Sequence, residues 1–426
     1  MTQKPQPDID QLCVNTIRTL AIDAIQQANS GHPGTPLDVA PAAYTLWQRV
    51  LRYDPQQPNW LNRDRFILSG GHASMLLYSL IHLAGVKAAN ASYETVGREA
   101  ITLDDIKNFR QAGSRCPGHP EYGWTSGVET TTGPLGQGLA SSVGMAIAGR
   151  WLAATYNRPD YRLFDFNVYA LCGDGDLMGG ISSEAASIAG HLRLSNLCWV
   201  YDANRVTIEG QTDLTFTEDV AARFVAYRWE VIRVSDPNDL ALLERAYRTF
   251  LLTGNRPALI ILHSHIGYGA PHKQDSPGAH GEPLGAEEVR LTKQFFGFSP
   301  EETFVVPAVV REHFAAVLGA RGARLREAWH QLFARYGAQY PDLANQLECV
   351  SKRELPAGWE KVLPAFPPSP TGLPTREASG KVLNAVAGGR AFRLYGRARR
   401  GGGARGPRSL PVSGAPATHA PAPPFL

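Results

Sequence analysis

Short apolar runs alternate with stretches of helical period along most of this chain, and that alternation leaves few folds open. The runs are Phe66-Ile67-Leu68-Ser69 and residues 167–172, 197–201, 230–234 and 258–263. Leu12, Ile17, Leu20 and Ala24 recur at helical spacing within 10–28, and Ser30-Gly31 follows as a stop signal. Further helices are predicted over 36–49, 73–83 and 135–154, the last rich in Ala, Gly and Met and so expected to pack tightly in the interior. Strands interleaved with helices predict an α/β fold, a doubly wound and mostly parallel sheet with helices on both faces. Such sheets bind ligands at the C-terminal ends of their strands.

Two of those ends carry side-chain oxygen. Leu171-Cys172-Gly173-Asp174-Gly175-Asp176 closes one predicted strand, and Trp199-Val200-Tyr201-Asp202-Ala203-Asn204-Arg205-Val206 closes another, with Asn204 30 residues after Asp174. If the strands are parallel, one carboxylate and one amide oxygen meet at the same edge. With a backbone carbonyl they make a hard, oxygen-only set suited to Mg²⁺, which keeps some waters and takes other ligands from a phosphorylated partner. Gly173 and Gly175 let the backbone approach that partner. A helix starting near Ile181 would turn its N–H groups toward the same anion.

Four histidines sit in glycine- or proline-containing turns: Ser30-Gly31-His32-Pro33-Gly34, Ser69-Gly70-Gly71-His72, Pro117-Gly118-His119-Pro120-Glu121 and His280-Gly281-Glu282. A neutral imidazole donates, accepts or carries a proton near pH 7, and glycine admits close backbone approach. Such a set suits a sugar phosphate, with its many hydroxyls and its dianion. His263, His265 and His272 have no such context and are read as structural. Gly133-Pro134-Leu135-Gly136-Gln137-Gly138 opens the small-residue helix and offers backbone surface, with Leu135 as an apolar wedge for a flat heterocycle.

Composition removes several classes. No stretch approaches the roughly 20 apolar residues a bilayer-spanning helix requires, and Met1 to Gln11 does not read as a signal peptide. The five cysteines are scattered with no Cys-x-x-Cys pair, as expected for reduced thiols of a cytoplasmic protein. The net charge of +3 misleads, because from Ala378 onward there are eight basic residues and no acid; the rest carries 34 basic and 39 acidic residues. A mildly acidic body gives no sign of nucleic-acid binding.

The C-terminal part changes character. Residues 336–371 read as a proline-rich linker and 372–387 as a further helix, leaving 1–335 as the main domain. From residue 388 Gly, Arg, Pro and Ala dominate, and the tail is expected to be disordered. An Arg/Gly-rich tail can bind RNA, but loss of the coding frame near Gly388 is the preferred reading.

Taken in order, the His32 turn, Arg63-Asp64-Arg65-Phe66-Ile67-Leu68-Ser69-Gly70-Gly71-His72, the His119 turn, Glu129-Thr130-Thr131-Thr132-Gly133-Pro134-Leu135-Gly136-Gln137-Gly138, the Gly-Asp-Gly…Asn pair and the His280 loop resemble the transketolases over residues 10–387. The resemblance implies thiamine diphosphate with Mg²⁺, for which Ca²⁺ or Mn²⁺ can substitute. It assigns Asp174, Asn204 and the Val206 carbonyl to the metal. His72, Gly133, Pro134, Leu135, Gly175, Asn204 and His280 fall to the cofactor. His32, His119 and His280 fall to catalysis on substrate hydroxyls, and His32, His280 and Arg376 to substrate binding.

The implied reaction moves a two-carbon ketol unit from a ketose phosphate such as xylulose 5-phosphate to an aldose phosphate such as ribose 5-phosphate, as in the pentose phosphate pathway and the Calvin cycle. A homodimer is implied too. Two departures stand out. Gly179 occupies a position where the family carries Glu, in a proton network between subunits. The domain that supplies the glutamate activating the aminopyrimidine is represented only by its opening helix. The chain alone is therefore expected to show little activity, and the alternative is a half-enzyme subunit awaiting a partner with the pyrimidine domain.

Overall fold

A computed structural model describes residues 8–355 and 358–388. They divide after Pro341 into two units. In the first, five parallel strands form one sheet in the order β1-β4-β5-β7-β6: β1 (Arg65–Leu68), β4 (Val168–Gly173), β5 (Leu197–Asp202), β6 (Glu230–Val234) and β7 (Ala258–Leu262). All residues of β5 and β7 are buried, as expected for central strands covered on both faces. A separate antiparallel pair, β2 (Lys87–Ala89) and β3 (Thr95–Glu99), was not legible in the sequence because its residues are short, polar and half exposed.

Helices cover both faces. α1 (Ile9–Ala28), α2 (Gly34–Thr45), α3 (Ser74–Leu83) and α9 (Leu240–Leu252) share one apolar core with Tyr169, Leu171, Val200 and Ile260 of the sheet. α1 ends at Asn29 in the left-handed conformation (φ 47°). Its buried Arg18 stacks near Tyr268 and Phe296 and donates to the Leu37 carbonyl, so the guanidinium ties α1 to α2. The short α4 (Leu103–Lys107) is closed by a reciprocal Thr102–Asp105 capping box.

The other face carries α5 (Gln137–Tyr156), α6 (Asp174–Met178), α7 (Gly180–His191) and α8 (Val220–Ala226). Here the indole N–H groups of Trp199 and Trp229 donate to Ser142 Oγ and the Ala186 carbonyl. α5 begins two residues later than expected, because Gly133 to Gly136 belongs to the loop. Its tight packing is literal: a Cβ on Gly138 would lie 2.6 Å from the Ser69 Cα.

α10 (Ala286–Phe295), α11 (Ala308–Phe314) and α12 (Ala320–Gln339) complete the first unit. Lys293 of α10 makes a buried ion pair with Asp23 of α1. α13 (Pro341–Ser351), which begins at the division and continues into the second unit, occupies part of the segment read from the sequence as linker. Its apolar Leu347 and Ala344 are buried, a pairing at helical spacing that the surrounding prolines obscured. A 3₁₀ turn at Trp359–Val362 and α14 (Thr375–Gly388) follow. The expectation of a disordered, out-of-frame tail concerns residues 388–426; Gly388 is the last residue of α14, and the rest lie outside the described ones.

Candidate active site

Strand register sets the site. Leu68 pairs with Leu171, Gly173 with Asp202, and Asp202 with Leu262, so Ser69, Asp174, Asn204 and Ser264 emerge at one edge. Asp174 is the first residue of α6, a short helix where the sequence suggested only a turn; the next helix, α7, starts at Gly180. The Asp174 carboxylate accepts the Tyr201 hydroxyl and, at 3.1 Å, the Arg205 N–H. Burial nevertheless pushes it up to about 6, outweighing those two hydrogen bonds.

Asn204 is held from two sides. Its Oδ1 accepts the Val206 N–H at 3.0 Å. Its Nδ2 donates to Asp202 at 3.0 Å and to Asp38 at 3.2 Å. Asp202 and Asp38 are both buried, and burial raises both, Asp202 to about 7; the Asp202 charge adds to the rise at Asp38. Among the described residues no group of three or more His, Cys, Asp or Glu could hold a metal ion. An Asp174 and Asn204 set completed by a carbonyl is of another kind, with one ionised ligand.

The glycine loop is pinned by Asp176, which is fully buried. It accepts the Ser69 hydroxyl at 2.6 Å, the Gly136 N–H at 2.8 Å and the Gly173 N–H at 3.0 Å. One carboxylate thus joins the ends of β1 and β4 to the start of α5. Leu135 is 44% exposed on this loop, and a Cβ on Gly175 would lie 2.7 Å from its Cδ1. A large exposed apolar side chain over a glycine, beside a strand edge, is a ready platform for a flat ring.

Three of the four histidines converge. Ring centroids lie 4.9 Å apart for His32 and His72, 5.2 Å for His72 and His280, and 5.9 Å for His32 and His280. The turns that carry them fit backbone to backbone: a Cβ on Gly34 would be 2.8 Å from the Ala279 carbonyl oxygen, and one on Gly281 would be 3.4 Å from the His32 ring. His119 lies over Gly133, 3.4 Å from where a Cβ would stand. Burial, then the neighbouring His280, holds His32 down at about 4 and His72 at about 3; burial also lowers His119 and His280. All four are neutral at pH 7. The buried Nδ1 of His280 has no hydrogen-bond partner, a polar atom that awaits one.

His265 and His272, read as structural, pair with Asp275 at 3.0 Å and Glu288 at 2.8 Å. Val206 is buried beside Asn204 and bridges to Gln211. Arg376 stands in α14, in the second unit. Sequence reasoning missed Asp38, Tyr201, Asp202, Asp176 and Arg110, whose guanidinium donates to Ser30 and reaches His32 Nδ1 at 3.4 Å. The available signal was an acid set in an apolar stretch, as in Pro36-Leu37-Asp38-Val39, since a buried carboxylate must have partners.

Comparison with known proteins places the chain in a family. Residues 9–356 match the family "Transketolase, thiamine diphosphate binding domain". The chain is 49% identical over 379 residues to transketolase of Geobacillus stearothermophilus, covering 89% of this chain and 55% of that protein. It is 47% identical over 380 residues to transketolase 1 of Saccharomyces cerevisiae, covering 89% and 54%. A crystal structure of a Pichia stipitis transketolase variant superposes with a TM-score of 0.82 at 42% identity, covering 89% of this chain and 54% of that one. The transketolase of Leishmania mexicana gives 0.82 at 41%, covering 91% and 55%. The chain therefore spans about half the length of the relatives it matches. With a family match over most of its length and this level of identity, the chain belongs to the transketolase family, through its thiamine diphosphate binding domain.

Proposed function

We propose that this chain binds thiamine diphosphate with a divalent cation and takes part in transfer of a two-carbon ketol unit between sugar phosphates. The observation that carries the reading is the meeting of His32, His72 and His280 beside the Asp174–Asn204 edge, with His280 Nδ1 buried and unpartnered.

The residues present fit the group. A Cβ on Gly173 would meet nothing within 4 Å, so the edge above Asp174 is open, while Gly175 is closed by Leu135. Asp174, the Asn204 Oδ1 and the Val206 carbonyl would hold Mg²⁺, or Ca²⁺ or Mn²⁺ in its place; a hard cation would offset the burial cost of the Asp174 charge. His72, Gly133, Pro134, Leu135, Gly175 and His280 would line the cofactor. When bound, the cofactor supplies the electron sink that lets a ketose C2–C3 bond break and re-form on an aldose.

What remains for the chain is binding and proton movement. His32, His119 and His280, neutral at pH 7, can each accept a proton from a substrate hydroxyl and return it, a contribution of order 10²–10⁴ in rate for a well-placed base. Arg376 is proposed for the substrate phosphate, where a guanidinium can bind two oxygens at once. We assign a homodimer as well: Ile147 of α5 and Ile181 and Ile188 of α7 are 38%, 47% and 50% exposed. All five cysteines are unpaired, in keeping with a cytoplasmic location. No helix among the described residues is long and apolar enough to cross a membrane.

The test is direct. Thiamine diphosphate should be retained by the full chain on gel filtration in Mg²⁺ and lost on chelation, and Asp174→Ala should abolish retention without unfolding the protein. Ketol transfer from xylulose 5-phosphate to ribose 5-phosphate is then assayed with the chain alone and with a polypeptide carrying the pyrimidine-binding domain. Failure to retain the cofactor at any Mg²⁺ concentration would overturn the assignment.

A further inference from the structure

Three segments converge on Asp38. It lies on α2, six residues after His32, and is 1% exposed. Its Oδ1 accepts the Gly267 N–H at 2.8 Å, in the loop between β7 and His280. Its Oδ2 accepts Asn204 Nδ2, contributed from 166 residues away, at 3.2 Å. One carboxylate thus ties the His32 segment, the His280 loop and the Asn204 strand end together.

The orientation of the Asn204 amide is what these bonds decide. A side-chain amide has nearly the same shape either way round, and its hydrogen-bond partners choose which end points where. Asn204 Nδ2 lies between Asp38 Oδ2 and Asp202 Oδ2. Turning the amide over would place its oxygen against the two carboxyl oxygens that now accept from Nδ2 and lose both hydrogen bonds. It would also set the amide nitrogen against the Val206 N–H, now 3.0 Å from Oδ1. Both ends therefore force Oδ1 toward the side of Val206, and only an oxygen there can ligate a hard cation.

We propose that Asp38 is a positioning residue for the cation. It holds the Asn204 amide with Oδ1 presented for ligation, and it fastens the loop leading to His280 to that same amide. The inference rests on the reading of Asp174 and Asn204 as a cation–diphosphate clamp. Asp202 supplies the second restraint and is itself held by the Ser264 hydroxyl.

The informative variant is Asp38→Asn. It keeps the side-chain shape but replaces one acceptor with an NH₂ group. Each oxygen of Asp38 now receives an N–H, so the new donor faces a donor whichever way it turns. Facing Asn204, it favours the overturned amide. Asp38→Ala removes the carboxylate without adding a donor, leaving Asp202 to orient Asn204. Mg²⁺ would be titrated into the full chain at saturating thiamine diphosphate, followed by tryptophan fluorescence and by cofactor retained on gel filtration. Urea unfolding of each apo protein is measured alongside.

Outer partners of metal-binding side chains are commonly worth about 10–100-fold in metal affinity. Asp38→Asn should raise the half-saturating Mg²⁺ concentration by about that factor, and Asp38→Ala by less. A purely structural role would instead make the Mg²⁺ effect follow the loss in apo stability across the two variants. A Mg²⁺ requirement for Asp38→Asn within twofold of wild type, or one that simply tracks stability, would overturn the proposal. Should the wild type itself retain no cofactor in Mg²⁺, the clamp reading falls and this inference with it. If the wild type binds and Asp38→Asn matches it, the inference alone falls.

Discussion

Gly138→Ala sets two backbone effects against each other, and the structure decides which wins. Gly138 is the second residue of α5, so alanine there gains up to about 1 kcal/mol of helix propensity. The new methyl would lie 2.6 Å from the Ser69 Cα, 2.8 Å from its Cβ and 2.8 Å from its Oγ. Carbon atoms rest near 3.5–4.0 Å, and the closest obstacle is main chain, which cannot rotate away. α5 must back off from the end of β1, and overpacking of this kind costs about 1–3 kcal/mol.

The net expectation is a loss of about 1 kcal/mol, up to about 2. It should appear as a lower urea midpoint at unchanged slope, followed by tryptophan fluorescence. Ser69→Gly should not rescue it, because the Cα remains. The same retreat pulls Gly136 from Asp176, so cofactor retention in Mg²⁺ should fall too. A Gly138→Ala protein more stable than wild type would show that α5 and β1 are not in close contact, and the account of the glycine loop would fail.

Gly175→Ala should separate binding from stability: the new methyl meets only the flexible tip of Leu135 at 2.7 Å, so apo unfolding should barely change while thiamine diphosphate affinity drops about tenfold, roughly 1.4 kcal/mol. An unchanged affinity in a calorimetric titration would remove Leu135 from the proposed cofactor surface. Lys293→Met should destabilise the chain by about 3–5 kcal/mol, because Asp23, 2% exposed, would be left buried without its counter-ion; adding Asp23→Asn should recover much of the loss in urea unfolding. The histidine cluster predicts a pH dependence. His32 and His72 are held near 4 and 3, below the 6.5 of an unfolded imidazole, so the unfolded state binds more protons between those values. Their contribution is complete above pH 6.5 and is lost as pH falls toward 4; His32→Asn should flatten that limb of the unfolding midpoint against pH, and an unchanged limb would count against neutral, buried imidazoles.

Legibility followed the range of the interactions. β4, β5, β6 and β7 lie close to their expected positions because their apolar runs are continuous and bounded by turn residues. The β2–β3 pair escaped notice, as did α13 within a proline-rich stretch, because neither presents a long periodic pattern. The His32, His72 and His280 turns were each visible as local motifs, and the structure brings their rings within 6 Å. Asp38 carried no motif of its own; only its position in an apolar turn marked it.

The sequence by itself determined the alternation of strand and helix, the edge at which Asp174 and Asn204 would stand, and the glycines that let backbones touch. These follow from periodicity and from conformational preferences that act over a few residues. Tertiary structure alone decided which groups hold those ligands in place. Ser69 meets Asp176 across 107 residues of chain, and Asn204 meets Asp38 across 166. A carboxylate can be seen to need a partner wherever burial is expected, but its partner is chosen only when parallel strands fall into register and the loops beyond them close over one edge.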